Sequence, residues 1–197
     1  MIGQTSPLRS KGREPVRAFI TLGSNVEPER YLPEAVRRLA DTPGLRLLAV
    51  SQVYESAAID AQGRANPDQP PFLNAAILVE TSLSILRLQR DVLRPLEEAL
   101  DRVRTADKFA PRTLDLDVVL YGSEVLGLTI EYEDGSSELI LPDPDVTQHA
   151  HVALPLADLD PDFVHPVTGE TLGEIADRFR DSPGIRLHSL VLPAGND

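Results

Sequence analysis

The chain has 197 residues, 42% of them hydrophobic, which is enough to bury a substantial core as one domain. It has no cysteine, which excludes a disulfide scaffold or a thiolate metal site and leaves oxygen or imidazole to hold any metal. Nineteen basic against thirty-one acidic residues give a net charge of −12, which opposes extended contact with nucleic acid or an anionic membrane.

Residues 1–15 are polar, interrupted by Pro7 and Pro15, and lack both periodicity and the apolar centre of a secretory signal, so they predict a loose leader. Residues 16–21 form an apolar run entering the turn Gly23-Ser24-Asn25, a strand. Over residues 29–41, Tyr31, Leu32, Ala35, Val36 and Leu39 recur at three- and four-residue spacing, a helix closed by Pro43-Gly44. A second strand is expected over residues 45–54, then a long loop rich in Gly, Pro, Asn and Asp over 57–71, then a third strand over 72–81. Ile85, Leu88, Val92, Leu96, Ala99, Leu100 and Val103 mark the longest amphipathic helix, which Pro95 should kink or divide near Arg94.

Residues 113–121 alternate strictly. They predict a fourth strand with Leu114, Leu116, Val118 and Leu120 on one face and Asp115, Asp117, Val119 and Tyr121 on the other. Asp134-Gly135 lies between two alternating segments within residues 128–141, a hairpin signal. A helix is expected over 145–158, ended or bent by Pro155, a short one over 171–180, and a last strand over 185–191. The irregular alternation of elements with a late hairpin predicts an α+β fold with a mostly antiparallel sheet. One domain over residues 16–183 is expected between the leader and a C-terminal tail, 184–197, that ends in a strand. No apolar run approaches the ~20 residues needed to cross a bilayer, so the expectation is a cytoplasmic protein.

Asp115 and Asp117 carry the clearest chemistry. Two residues apart on a strand means about 6.6 Å along it and the same face, so both carboxylates can serve one site. Like charges so placed repel, and a hard divalent cation is the simplest compensation; magnesium takes one or two carboxylates, keeps several waters and completes its shell with substrate phosphate. Charged residues at a solvent-facing strand edge would explain the pair alone equally well. The segment from Arg102 to Arg112 tips the balance, with Arg102, Arg104, Lys108 and Arg112 against Asp107 alone. Guanidinium groups stabilise charge on a transferring phosphoryl group, so acid pair and basic loop together point to phosphoryl transfer. There is no G-x-x-x-x-G-K-[ST], H-E-x-x-H or G-x-S-x-G, which leaves P-loop, zinc-protease and α/β-hydrolase chemistry unsupported.

Leu22-Gly23-Ser24-Asn25, Phe72-Leu73-Asn74-Ala75-Ala76 and above all Pro111-Arg112-Thr113-Leu114-Asp115-Leu116-Asp117 resemble, in that order, the 6-hydroxymethyl-7,8-dihydropterin pyrophosphokinases of folate synthesis. The likeness runs from about Val16 to Val167. It implies a ferredoxin-like α+β sandwich and transfer of the pyrophosphoryl group of ATP to the pterin hydroxymethyl oxygen, with release of AMP. By the same resemblance, Asp115 and Asp117 would hold two magnesium ions, and Arg102 and Arg112 would stabilise the transferring phosphates as catalytic groups. Ser56, Ala57, Ile59, Phe72, Asn74 and His151 would bind the pterin, Phe72 and His151 by stacking and Asn74 by hydrogen bonding. Glu97, Arg104, Val118 and His149 would lie towards ATP. The expected partners are therefore ATP and a reduced hydroxymethylpterin, with no nucleic acid or membrane, and the chain is expected to act as a monomer.

The chain departs from the family pattern at several places. Phe109 stands where tryptophan is common, Ala110 for glycine, Thr105 for lysine, Asp143 for a phosphate-contacting histidine, His149 for an arginine and His151 for a stacking aromatic. These changes concentrate on the nucleotide side. They leave one alternative, a diverged homologue that binds pterin or nucleotide with weak or no turnover.

Overall fold

The computed structural model describes residues 14–105, 107, 109–132 and 135–194. The expected leader up to residue 13, and also Lys108 and Asp134, lie outside these. β1 (Val16–Ser24) is flanked by β4 (Phe72–Thr81) and β5 (Asp115–Tyr121), antiparallel to both. β2 (Leu45–Val50) and β3 (Val53–Ser56) both pair with the far side of β4, and β8 (Ile185–His188) adds to β3 at the edge. The two β–α–β units are thus interleaved, the second placing its strands on either side of β1. This is the ferredoxin-like α+β arrangement with an antiparallel sheet. Part of the region expected to be a tail is therefore a strand of the main sheet, and it stops at His188, short of Val191.

Two cores sandwich the sheet. α1 (Pro28–Ala40) turns Tyr31, Leu32, Ala35, Val36 and Leu39 onto Ala18, Ile20, Ala75 and Ile77 on one face. The same face carries the second helical segment and the hairpin β6 (Leu126–Tyr132) with β7 (Gly135–Leu141). On the opposite face α4 (Asp145–Gln148), α5 (Ala150–Leu159) and α6 (Leu172–Asp177) cover Phe19, Ala76 and Leu78. Among the described residues no helix is long and apolar enough to cross a membrane.

Several expectations needed correction. The second strand is broken at Ser51-Gln52: Ser51 Oγ accepts from the Ala76 N–H at 2.8 Å and donates to the Gln52 carbonyl, a side-chain substitute for one rung of the ladder. The strict alternation of the fourth strand fails beyond Val118. Ile20 faces Val118 but Phe19 faces Leu120, so the extra residue Val119 makes a bulge. Leu120 is thereby moved to the α5 face, and Tyr121 goes into the opposite core, where its hydroxyl donates to the Leu83 carbonyl at 2.5 Å. The hairpin closes with Tyr132 opposite Gly135, so Gly135 belongs to the strand instead of the turn. The helix expected over 145–158 breaks at His149, which is extended (φ −128°, ψ 126°), while Pro155 is buried inside α5 without ending it.

The long amphipathic helix divides where Pro95 predicts. α2 (Ile85–Arg87) widens into a π-helical turn, Leu88–Leu93, and resumes as α3 (Arg94–Ala99). The Arg94 N–H donates back to the Gln89 carbonyl, five residues earlier, and Pro95 sits at the start of α3, where a missing donor is tolerated. The helix ends sooner than expected, leaving Val103 outside and exposed, because Asp101 is left-handed at φ 64°. The Tyr31 hydroxyl donates to Asp101 Oδ2 at 2.8 Å and holds this turn, which sends Arg102 back towards β5.

α6 carries a complete capping box. Thr171 Oγ1 accepts from the Glu174 N–H at 3.2 Å, and Glu174 Oε2 accepts from the Thr171 N–H at 2.8 Å. Thr171→Ala is expected to cost about 1 kcal/mol of unfolding free energy in a urea titration.

Candidate active site

α5 begins at Ala150 and covers only part of its face of the sheet, so the ends of β1, β4 and β5 are left bare. On that face strand alternation places Thr21 and Gly23 of β1, Phe72 and Asn74 of β4, and Asp115 and Asp117 of β5 side by side. They line a cavity of about 740 Å³, together with Ser56 at the end of β3, Ala57 and Ile59 beyond it, Phe109 and Arg112 before β5, and Asp143, Asp145, His149 and His151 around α4 and α5. Gly23 leaves the floor open: a methyl group there would meet Asn74 Oδ1 at 3.8 Å, and Asp115 Cβ and Phe72 Cδ1 at 4.0 Å.

Among the described residues Asp115 pairs with two arginines, whereas Asp117 feels only the more distant pull of Arg104. Arg112 Nη1 lies 2.5 Å from Asp115 Oδ2, and Arg102 Nη2 lies 3.6 Å from Asp115 Oδ1. Asp117 is exposed to the cavity, whose walls close around its carboxyl. Desolvation first, then the negative charges of Asp115, Glu97 and Asp143, hold its carboxyl well above the ordinary carboxylate range. This excess of negative charge suits a cation with hard oxygen ligands. Among the described residues no group of three or more His, Cys, Asp or Glu side chains could hold a metal by itself, so an ion here would need substrate oxygens or water to complete its shell.

Glu97 and Arg104 do not line the cavity but stand behind it. Glu97 is buried; its Oε1 accepts from the Leu116 N–H at 2.9 Å, between the two aspartates, and its other oxygen meets Arg104. Burial pushes the Glu97 carboxyl up to about 7 against the pull of Arg104. Arg102 also lies behind the wall, and desolvation lowers its pKa. Its Nε is buried without a hydrogen-bond partner among the described residues. The Val118 side chain points away, buried in the α1-side core, so it takes no part in lining the cavity.

At the other end of the cavity, Asn74 Nδ2 donates to Ser56 Oγ at 3.0 Å and to the Tyr54 carbonyl at 3.2 Å. That commits the amide nitrogen and turns Oδ1 towards Gly23 as an acceptor. The Arg112 guanidinium lies 5.8 Å from the Phe72 ring centroid, within reach of its π face. Burial and the neighbouring His149 lower the His151 pKa, which favours the neutral ring for stacking.

Asn25 was missed as a site residue by the sequence reading. It is buried, and its Oδ1 accepts from the Arg112 N–H at 2.8 Å while its own N–H donates to the Arg112 carbonyl at 3.1 Å. Its amide nitrogen reaches the Pro70 carbonyl at 3.3 Å, and Gln69 Nε2 donates to the Phe109 carbonyl at 3.0 Å. The end of β1 thus ties together the two loops that flank the cavity. An asparagine closing a Gly-Ser turn is the only local signal, since its partners are remote in sequence. Asn25→Ala removes the side-chain acceptor of the half-buried Arg112 N–H and should cost about 1 kcal/mol in denaturant unfolding.

A family model for 7,8-dihydro-6-hydroxymethylpterin-pyrophosphokinase (HPPK) matches residues 19–161. The chain belongs to this family. It is 32% identical to the 2-amino-4-hydroxy-6-hydroxymethyldihydropteridine pyrophosphokinase of Haemophilus influenzae over 88% of this chain and 99% of that one. With the enzyme of the same name from Pseudomonas aeruginosa it shares 38% identity over 76% of this chain and 84% of that one. It is 34% identical to the folic acid synthesis protein fol1 of Pneumocystis carinii over 83% of this chain, but spans only 20% of that protein. In fold, this HPPK-family chain superposes on a Plasmodium falciparum HPPK-DHPS with a TM-score of 0.66 at 14% identity, covering 86% of this chain and 44% of that one.

Proposed function

We propose that the protein transfers the pyrophosphoryl group of ATP to the hydroxymethyl oxygen of 6-hydroxymethyl-7,8-dihydropterin, as a monomer in the cytoplasm. The observation that carries this reading is the meeting, in one cavity, of an acid pair with its arginine and an aromatic-amide pocket, in a chain of this family. Asn74 Oδ1 accepts from the pterin edge, Phe72 and His151 stack on the ring, and the backbone around Ser56, Ala57 and Ile59 completes the pocket. The hydroxymethyl oxygen then attacks the β-phosphorus, the bond from that phosphorus to the oxygen bridging the α-phosphate breaks, and AMP leaves with that oxygen while the hydroxyl proton is released.

Arg112 spreads the charge developing on the transferring group, and Arg102 adds its positive charge from behind the wall through Asp115; Glu97 and Arg104 brace β5 behind the nucleotide, with His149 facing it and Val118 contributing only main chain. Asp115 and Asp117 would hold magnesium, which would supply positive charge against the phosphate oxygens. Positioning and electrostatics are the main demands of such a transfer, so no strong general base is required.

Incubation with ATP, magnesium and the pterin should yield AMP and the pterin diphosphate in equal amounts. Pterin binding without AMP at high protein concentration would instead establish a binding homologue. Phe72→Ala should weaken pterin affinity by about tenfold or more in calorimetry, by loss of ring stacking.

A further inference from the structure

His149 is fixed by its backbone at the junction of two helices. Its N–H donates to the Asp145 carbonyl at 3.0 Å, and its carbonyl accepts from Val152 and Ala153 at 3.1 and 3.0 Å. The extended conformation between these bonds turns its side chain out of the helical path and onto the cavity. Its Nε2 lies 3.5 Å from Asp145 Oδ1, and its ring centroid lies 5.3 Å from that of His151. Among the described residues the other charged groups on the cavity wall are Asp143 before α4, Asp115 and Asp117 on β5, and Arg112, which is engaged with Asp115.

Four aspartates therefore face one arginine and two imidazoles. A polyphosphate entering this cavity meets negative charge on α4, on β5 and on the turn before α4. Imidazole is the side chain whose charge changes between about pH 5 and 8. Two rings at this separation do not both carry charge cheaply, and burial already disfavours the charged form of His151. The more open ring is His149, whose side chain is 46% exposed.

Resting on the function proposed above, we infer that His149 makes nucleotide binding proton-dependent: its imidazolium faces the polyphosphate, and its neutral form leaves Asp117, Asp143 and Asp145 to face it without that charge. Arginine at this position would supply the charge at every pH. Histidine supplies it only when protonated.

The test is calorimetry of the magnesium complex of α,β-methylene-ATP at about pH 6 and about pH 8, with wild type, His149→Gln and His149→Arg. The Gln variant keeps the titration of the ligand, and because His149 also lowers the pKa of Asp143 and of His151, His149→Gln is read beside His149→Gln/His151→Gln, in which no second imidazole can take over the proton. Wild type should lose about tenfold more affinity between the two pH values than His149→Gln does, one extra charge contact being worth about that factor. His149→Arg should bind tightly at both. Equal pH dependence in wild type and His149→Gln overturns the inference and leaves the proposed function standing. No nucleotide binding by wild type or His149→Arg at either pH overturns both.

Discussion

Asp117→Asn is expected to lower kcat/KM for AMP formation by about 10³-fold or more, because a metal clamp on phosphate oxygens is worth several kcal/mol and each tenfold in rate is about 1.4 kcal/mol. The same variant should fold as well as wild type or better. In the folded chain the Asp117 carboxyl titrates well above its ordinary range, chiefly through desolvation and then through Asp115, Glu97 and Asp143. The folded state therefore holds the proton more tightly than the unfolded chain, and wild-type stability is lost as pH rises from about 4 through the raised value. Asparagine has no such loss.

In metal-free buffer the variant should gain Tm relative to wild type as pH rises, with no difference below about pH 4. Adding magnesium with the nucleotide analogue should then stabilise wild type and not the variant, by linkage of binding to folding. A drop in Tm at neutral pH without magnesium, coupled to only a modest kinetic loss, would mean that Asp117 is a structural residue.

Arg112→Ala is expected to lower kcat by about 10³-fold, the lower end of what an arginine at a transferring phosphoryl group contributes. Its backbone contacts to Asn25 survive the substitution, so the loop stays tethered. Removing the guanidinium also strips Asp115 of its partner at 2.5 Å, leaving Arg102 at 3.6 Å as its compensating charge. Arg112→Lys should recover little, because an ammonium cannot hold carboxylate and phosphate in a planar fork. The diagnostic is the split: kcat falls while the pterin KM moves by less than about tenfold, since the lost interaction belongs to the transition state. A rise in KM alone would place Arg112 in ground-state binding.

Much of this site was visible in local sequence. Alternation placed Asp115 and Asp117 on one face because side-chain direction in a strand has a period of two, whatever the strand pairs with. Periodicity and a proline likewise marked α1 and the division before α3, because a helix face and a missing N–H are local properties. The failures share the opposite cause. Val119 forms a bulge because β1 opposes it with one residue fewer, a fact of pairing that strand β5 does not carry alone. Tyr121 and Leu120 exchanged faces as a result.

Glu97, eighteen residues before Asp115, bonds to the main chain between the aspartates only because α3 lies along β5. The breaks at Ser51 and His149 each depend on bonds made elsewhere: Ser51 to Ala76, and His149 to the turns on either side of it. Asn25 holds Arg112 across eighty-seven residues of chain.

The sequence by itself determined the α+β class, the acid pair beside its arginine and the resemblance that identified the family, all written in contiguous residues. Only the tertiary structure decided what stands around that pair. It brought Phe72 and Asn74 onto the same floor as Asp115 and Asp117, set Glu97 behind them, and put His149 on the wall among four aspartates. These are matters of strand order, register and where α5 begins. They follow from which surfaces bury one another across long separations in the chain, and no local pattern encodes that.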